Sequence, residues 1–296
     1  MNFAELRSAI KDCIDLDFHV ASSQLQTTIF GLDRADILPL VVEIGIIPED
    51  IRHDSTEEKL YTKVSDILLA KSLSEMNLEV AVLTQWSDCA DIIAQSRYHS
   101  YSLVGDAKTF RLCRTAKNAK DINVVSMAQW NDDCDYSVLV CPYYQYPQSV
   151  STIYKDALEH NVSLFSWEYL YVLLKEGVKE SPSCNLRELF NQSAIIANTT
   201  TVANAKTNFL QQQNVNIADI INMPQSRFAD YFNQVNEILV ERGYAEIGFF
   251  ESEQKRVMQL NREDAIKELL RCLKLDNKIS TIKQFVEQIR KSASTI

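Results

Sequence analysis

Apolar positions in the first fifty residues recur three and four apart: Phe3, Leu6, Ile10 and Ile14, then Leu38, Val41, Val42 and Ile46. That spacing gathers them on one helix face, and the turn-forming string IIPED closes the stretch, so two or three short helices are predicted. Ser55 followed by Glu58 is a capping-box pattern, after which Leu60, Val64, Ile67 and Leu68 return on one face. A long amphipathic helix over 56–75, covering one side of a sheet, follows. The period then changes. LEVAVLT (78–84), ADIIA (90–94) and YSLVGDAKTF (101–110) are short runs rich in β-branched and aromatic residues, as strands are. YSVLVCPYYQYP (136–147) and VSLFSW (162–167) are nearly continuous apolar runs on either side of the helical stretch SVSTIYKDALEH. Strands buried on both faces and joined by a crossover helix read this way. Beyond Pro182 strand signals largely stop. Helices are predicted at about 200–222, 226–243, 250–260, 262–274 and 278–292, with Gly243 as a stop and Asn261 before Asp264 as a start.

These elements make an α/β fold, a mixed sheet flanked by helices over 56–180, with N-terminal helices over 1–55 and a helical region over 181–296, in a single compact unit. The chain is long enough to bury a substantial core, and its six Gly and six Pro leave no low-complexity stretch or long linker. The longest apolar run, ILPLVVEIGII, is broken by Glu43 and too short to span a bilayer, and the first residues have no uninterrupted apolar region. A soluble, cytoplasmic protein without a membrane partner is the expectation. Seven scattered cysteines with no C-x-x-C pair argue against a disulfide framework and a structural zinc site, and the four histidines sit far apart.

The net charge of −10 opposes a nucleic-acid partner at first sight, but its distribution does not. Between Asp106 and Asp121 the string AKTFRLCRTAKNAK carries Lys108, Arg111, Arg114, Lys117 and Lys120 and no acid. By itself it also fits a solvated helix face. Just before it, Asp106-Ala107-Lys108 closes the apolar strand LVGD. Residues i and i+2 of a strand project to one side, about 7 Å apart at their backbones, so carboxylate and ammonium point together. Asp91 opens the preceding strand, and a hairpin return sets it beside Asp106. Two carboxylates and a lysine at one sheet edge suit phosphodiester hydrolysis with magnesium, a hard cation that takes oxygen ligands and keeps several waters. Asp91, Asp106 and the Ala107 backbone carbonyl would supply its protein ligands. Lys108 would hold or deprotonate the attacking water and offset the phosphate charge.

The strings STEEKLYTKVSDILLAK (55–71), LVGDAKTFRLCRTAKNAKD (103–121), YYQYP (143–147) and LFSWEYL (164–170) resemble the HindIII family of type II restriction endonucleases, within the D…(D/E)-x-K nuclease superfamily. The likeness is dense from about Gly45 to about Leu174. It implies a restriction-endonuclease-like core and a homodimer that binds double-stranded DNA at a short palindrome, a six-base site such as AAGCTT. It also implies magnesium-dependent cuts that leave 5′-phosphates, and a cognate DNA methyltransferase as genetic partner. By the same likeness Asp91, Asp106 and Lys108 fall on catalytic positions and Asp121 on a further acidic one. Ala90 stands where the superfamily pattern has proline, and Asp88 is a second candidate for the role of Asp91.

Glu58 could reach the metal from the long helix or simply cap it, while Asp66, Lys59 and Lys63 are expected to face solvent. Arg111, Arg114, Lys117, Asn118 and Lys120 are the candidates for DNA contact, since Arg and Lys address phosphates or guanine edges and Asn pairs with adenine. Tyr143, Tyr144 and Tyr146 are expected at a buried sheet edge, and Trp86, Trp130 and Trp167 in the core or an interface. On the residues alone, a repair or structure-specific nuclease on the same scaffold, or a DNA-binding scaffold without catalysis, remains open.

Overall fold

The computed structural model describes residues 1–83, 89–113, 121–131, 133–147, 151–199, 206–274 and 278–284. Arg114, Lys117, Asn118 and Lys120, together with Asp88 and Trp86, lie outside the described residues. The elements in chain order are α1 (Phe3–Asp12), α2 (Phe18–Phe30), α3 (Arg34–Glu43), α4 (Thr56–Glu75), β1 (Glu79–Val82), β2 (Ile92–Gln95), β3 (Ser102–Ala107) and α5 (Val124–Gln129). Then come β4 (Tyr136–Cys141), α6 (Thr152–Glu159), β5 (Val162–Ser166), α7 (Trp167–Lys175), α8 (Arg187–Phe190), α9 (Gln192–Thr199), α10 (Lys206–Ile220), α11 (Gln225–Met258) and α12 (Arg262–Cys272).

The sheet runs β1-β2-β3-β4-β5. The first three strands form an antiparallel meander and the last three are parallel, with α6 as the crossover between β4 and β5. This is the mixed, helix-flanked sheet that the change of period predicts. β4 and β5 are buried at every position because each face has its own core. Val138, Val140 and Phe165 pack with α1–α4 and α7, while Leu139, Cys141, Val162 and Leu164 pack with Val124, Ile153, Tyr154 and Phe209.

The helix ends follow their capping residues: Ser55 accepts from the Glu58 amide at 3.1 Å, and Asn261 accepts from the Asp264 amide at 3.0 Å. Several expectations need correction. Helix α4 has the predicted bounds but is not one-faced: every residue from Val64 to Leu73 is buried, because β1–β3 cover one side and α2, α3 and α7 the other. Strand β3 stops at Ala107 rather than Phe110, which instead makes an isolated bridge to Ile46. Tyr143–Gln145 is a 3-10 turn rather than strand, since Pro142 has no amide to continue the ladder. Gly243 does not stop a helix: α11 runs through it for 34 residues. Interior glycine costs about 1 kcal/mol relative to alanine, too little to break a helix flanked on both sides by good helix formers.

The chain divides into two units, Met1–Tyr244 and Ala245–Ile296. The first holds the sheet and both cores. In the second, Glu268 pairs with Arg256 at 3.4 Å and with Arg271 at 2.5 Å. No helix among the described residues is long and apolar enough to cross a membrane.

Gly105 decides how closely β2 and β3 meet. It lies opposite Ile92, and a Cβ built there would fall 2.8 Å from the Ile92 side chain. Gly105→Ala is therefore expected to destabilise the protein by about 1–3 kcal/mol through overpacking. Urea unfolding measures this, and an unchanged midpoint would contradict the tight fit.

Candidate active site

Antiparallel pairing of Ile92 with Gly105 brings Asp91 back to the end of β3. The Asp91 amide donates to the Gly105 carbonyl at 3.0 Å, and its carboxylate Oδ2 accepts from the Ala107 amide at 3.4 Å. Asp106 is 2 % exposed, and its Oδ2 lies 2.5 Å from the Lys108 ammonium. That oxygen has no correctly directed hydrogen bond among the described residues, so the contact is an ion pair rather than a satisfied hydrogen bond. Backbone bonds on both sides hold Lys108 in place: its amide donates to Val140 O at 2.7 Å, and Trp167 Nε1 donates to its carbonyl at 3.3 Å. Asp91, Asp106, Ala107 and Lys108 all line one cavity of about 870 Å³. The structure thus brings the predicted carboxylates and lysine together.

A third carboxylate stands close by. Asp66, expected to face solvent, is 4 % exposed in the middle of α4, and its Oδ2 lies 3.3 Å from the Lys63 ammonium. Its other oxygen, Oδ1, has no hydrogen-bond partner among the described residues. Burial pushes the Asp91 carboxyl well above the usual carboxylate range, and Asp66 and then Asp106 add to this. Asp66 moves the same way, again chiefly through burial, with Lys63 opposing. Burial pulls on the Lys108 ammonium in the opposite sense, but Asp106 and Asp91 together hold it above its ordinary value. Buried acids crowded around an orphaned carboxylate oxygen are a hard, anionic donor set short of positive charge, and they fit a divalent cation.

Glu58 has other duties. Its Oε2 accepts from the Asp54 amide at 2.7 Å, and its Oε1 from Arg111 Nη2 at 2.6 Å. The Arg111 guanidinium also donates to Pro48 O at 3.0 Å and Ile51 O at 2.8 Å, so it ties the 48–51 turn to the start of α4. His53, Asp54 and Glu58 bring ligand atoms within 4.8 Å of one another at the mouth of the same cavity. Within this trio Glu58 is already paired with Arg111, at 2.6 Å. Asp121 is half-buried and does not line the cavity.

Among the aromatic candidates, Tyr146 is buried beneath β4 and β5 and its hydroxyl donates to Phe165 O at 2.6 Å, whereas Tyr144 is 44 % exposed. Trp167 is buried, and half-buried Trp130 lines the same cavity as Asp91, Asp106 and Lys108. Sequence reasoning missed the burial of Asp66 and the place of Lys59 on the cavity wall. One signal was available for Asp66: in the string VSDILLAK it stands among the apolar residues Val64, Ile67, Leu68 and Leu69.

Comparison with known proteins identifies the family. The family model described as HindIII restriction endonuclease matches residues 7–286. The chain is also 36 % identical over 286 residues to the type II restriction enzyme HindIII of Haemophilus influenzae, covering 97 % of this chain and 95 % of that protein.

A carboxyl whose pKa is raised by folding takes up protons on folding, so its contribution falls as pH climbs above the unfolded-state value of about 4. Without metal, Asp91→Asn is therefore expected to stabilise the fold at pH 8 by on the order of 1 kcal/mol, with the gain shrinking towards pH 4. Denaturant titrations at the two pH values check this; a loss of stability at pH 8 would contradict the crowding of charge.

Proposed function

The chain belongs to the HindIII restriction endonuclease family and is a type II site-specific deoxyribonuclease, and we propose that it cuts double-stranded DNA at a short palindrome with magnesium, leaving 5′-phosphates. One observation carries the reading: Asp91, Asp106 and Lys108 meet on the floor of one open cavity at the end of β3.

Asp91, Asp106 and the Ala107 carbonyl would hold the cation, with Lys108 swinging off the Asp106 oxygen that it now covers. A bound divalent cation neutralises phosphate charge, makes water more acidic and stabilises the departing oxygen. The protein's own groups supply orientation. The amide and carbonyl of Lys108 are pinned by Val140 and Trp167, so its ammonium is delivered from a fixed backbone to the phosphate and the attacking water. Asp106 and Asp91 keep that ammonium protonated, so in this arrangement Lys108 acts as a hydrogen-bond donor and counter-charge. Asp121, and Glu58 through Arg111, are supporting acids at greater remove. Arg111 anchors the cavity wall, and Arg114, Lys117, Asn118 and Lys120 are the proposed DNA-contacting residues that follow it.

A palindromic target and a two-fold protein imply each other, so the working assembly is a C2 homodimer in the cytoplasm. A cognate methyltransferase is its genetic partner, protecting host sites. The test of specificity is digestion of a sequenced plasmid with magnesium and mapping of the ends. Discrete fragments ending at one palindrome, AAGCTT if the family likeness extends to the bases, are expected; a smear, or cutting only at branches, would reject the reading.

Asp106→Asn and Lys108→Ala should each abolish cleavage while binding to the site persists, because most DNA contacts come from other residues. Gel shift and single-turnover cleavage on the same duplex separate the two, and full-rate cutting by either variant refutes the mechanism. Calcium should support binding without turnover, and rapid cleavage in calcium would argue against the assigned metal chemistry.

A further inference from the structure

The catalytic cavity is nearly balanced in charge, and most of its cations are already engaged. His53, Lys59, Lys108 and Arg111 face Asp54, Glu58, Asp91 and Asp106 across it. Lys108 pairs with Asp106, Arg111 with Glu58, and His53 lies 3.0 Å from Asp54 and 3.5 Å from Glu58. Lys59 differs. Its side chain is exposed on the first turns of α4, and it makes no hydrogen bond or ion pair among the described residues.

Its position is also particular. A second cavity, of about 330 Å³, opens between α2 and α4, and it shares Lys59, Thr62 and Asp91 with the catalytic cavity. The two are thus neighbours along a wall where Lys59 belongs to both. The α2 side of the second cavity, Phe18, His19, Ser22, Ser23 and Gln26, brings no carboxylate, and the Asp66 carboxylate that α4 adds to it lies 3.3 Å from the Lys63 ammonium. A duplex carries one phosphate per strand for every 3.4 Å or so of helix axis, so a scissile phosphate over Asp91 and Asp106 has a neighbouring phosphate on either side along its strand. A protein of net charge −10 must meet those neighbours with cations it has not spent internally.

We propose that Lys59 contacts the backbone phosphate adjacent to the scissile one, on the strand path that leaves the catalytic cavity along the α2–α4 groove. The inference rests on the nuclease reading above and adds a substrate-binding residue to it. Lys59 acts as a point charge on a flexible stem, so the contact strengthens binding to any duplex and reads no base.

The test is the salt dependence of binding in calcium, measured on duplexes with and without the site that the plasmid digest identifies. Wild type, Lys59→Ala, Lys59→Arg and Lys155→Ala are compared; Lys155 is a surface lysine on α6, 3.3 Å from Glu159. Lys59→Ala should lower the slope of log K against log salt by about 0.9 on both duplexes, Lys59→Arg should restore it, and Lys155→Ala should leave it unchanged. Neutral methylphosphonate substitutions then locate the contact. Replacing the phosphate beside the scissile one should weaken wild type but add little to Lys59→Ala, because both changes remove one interaction. A wild-type slope in Lys59→Ala, or additive losses at every phosphate scanned, overturns the inference while leaving the nuclease reading intact. A wild-type protein that binds neither duplex overturns both.

Discussion

The register of β2 against β3 is the constraint on which the rest of the structure depends. Pairing Ile92 with Gly105 sets Asp91 beside the end of β3, where Asp106 and Lys108 emerge. Because side chains alternate along a strand, a slip of one residue would turn Asp91 to the other face and separate the carboxylates. Three features hold that register. Gly105 leaves just enough room for Ile92, the Asp91 amide donates to the Gly105 carbonyl, and the Asp91 carbonyl accepts from the Leu83 amide at 2.8 Å on the β1 side. The parallel half of the sheet gives the opposite support, with Val140 and Trp167 gripping the Lys108 backbone. Asp91, Asp106 and Lys108 therefore stand where an antiparallel meander and a parallel sheet share one strand.

Charge organises what this framework carries. Three carboxylates, Asp66, Asp91 and Asp106, crowd one end of the sheet and α4, and Lys63 and Lys108 offset them only in part. Burial and mutual repulsion push the Asp66 and Asp91 carboxyls upward, and Lys108 lies against Asp106. Such an arrangement costs stability, and its oxygen donors fit a small, hard cation. Arg111 serves another purpose: its bonds to Glu58 and to the carbonyls of the 48–51 turn spend its charge inside the protein and keep the cavity wall in shape.

The sequence made much of this legible, for identifiable reasons. Periodicity placed α4 to the residue, because Ser55 caps it and Leu60, Val64, Ile67 and Leu68 recur at helical spacing. The β-branched runs located all five strands, and a hairpin return was enough to bring Asp91 to Asp106. What escaped was set by tertiary packing. Asp66 looked solvent-facing because a helix wheel cannot show that elements close over α4 from both sides. The internal bonds of Arg111 were not legible because its acceptors, the Pro48 and Ile51 carbonyls, lie 63 and 60 residues away in the chain and belong to the backbone, which carries no side-chain signature. Gly243 looked like a helix end because glycine's cost is local, whereas the continuity of α11 is set by the helix formers around it.

The central claim is that Asp91 and Asp106 hold one hard cation beside Lys108. Electron paramagnetic resonance of Mn²⁺ titrated into the protein with its DNA bound tests it most directly, because the free ion's signal disappears as the ion is captured. Wild type should capture Mn²⁺ tightly, with Asp91→Asn and Asp106→Asn each losing that uptake. Equal uptake by all three proteins would contradict the account, whatever their cleavage rates.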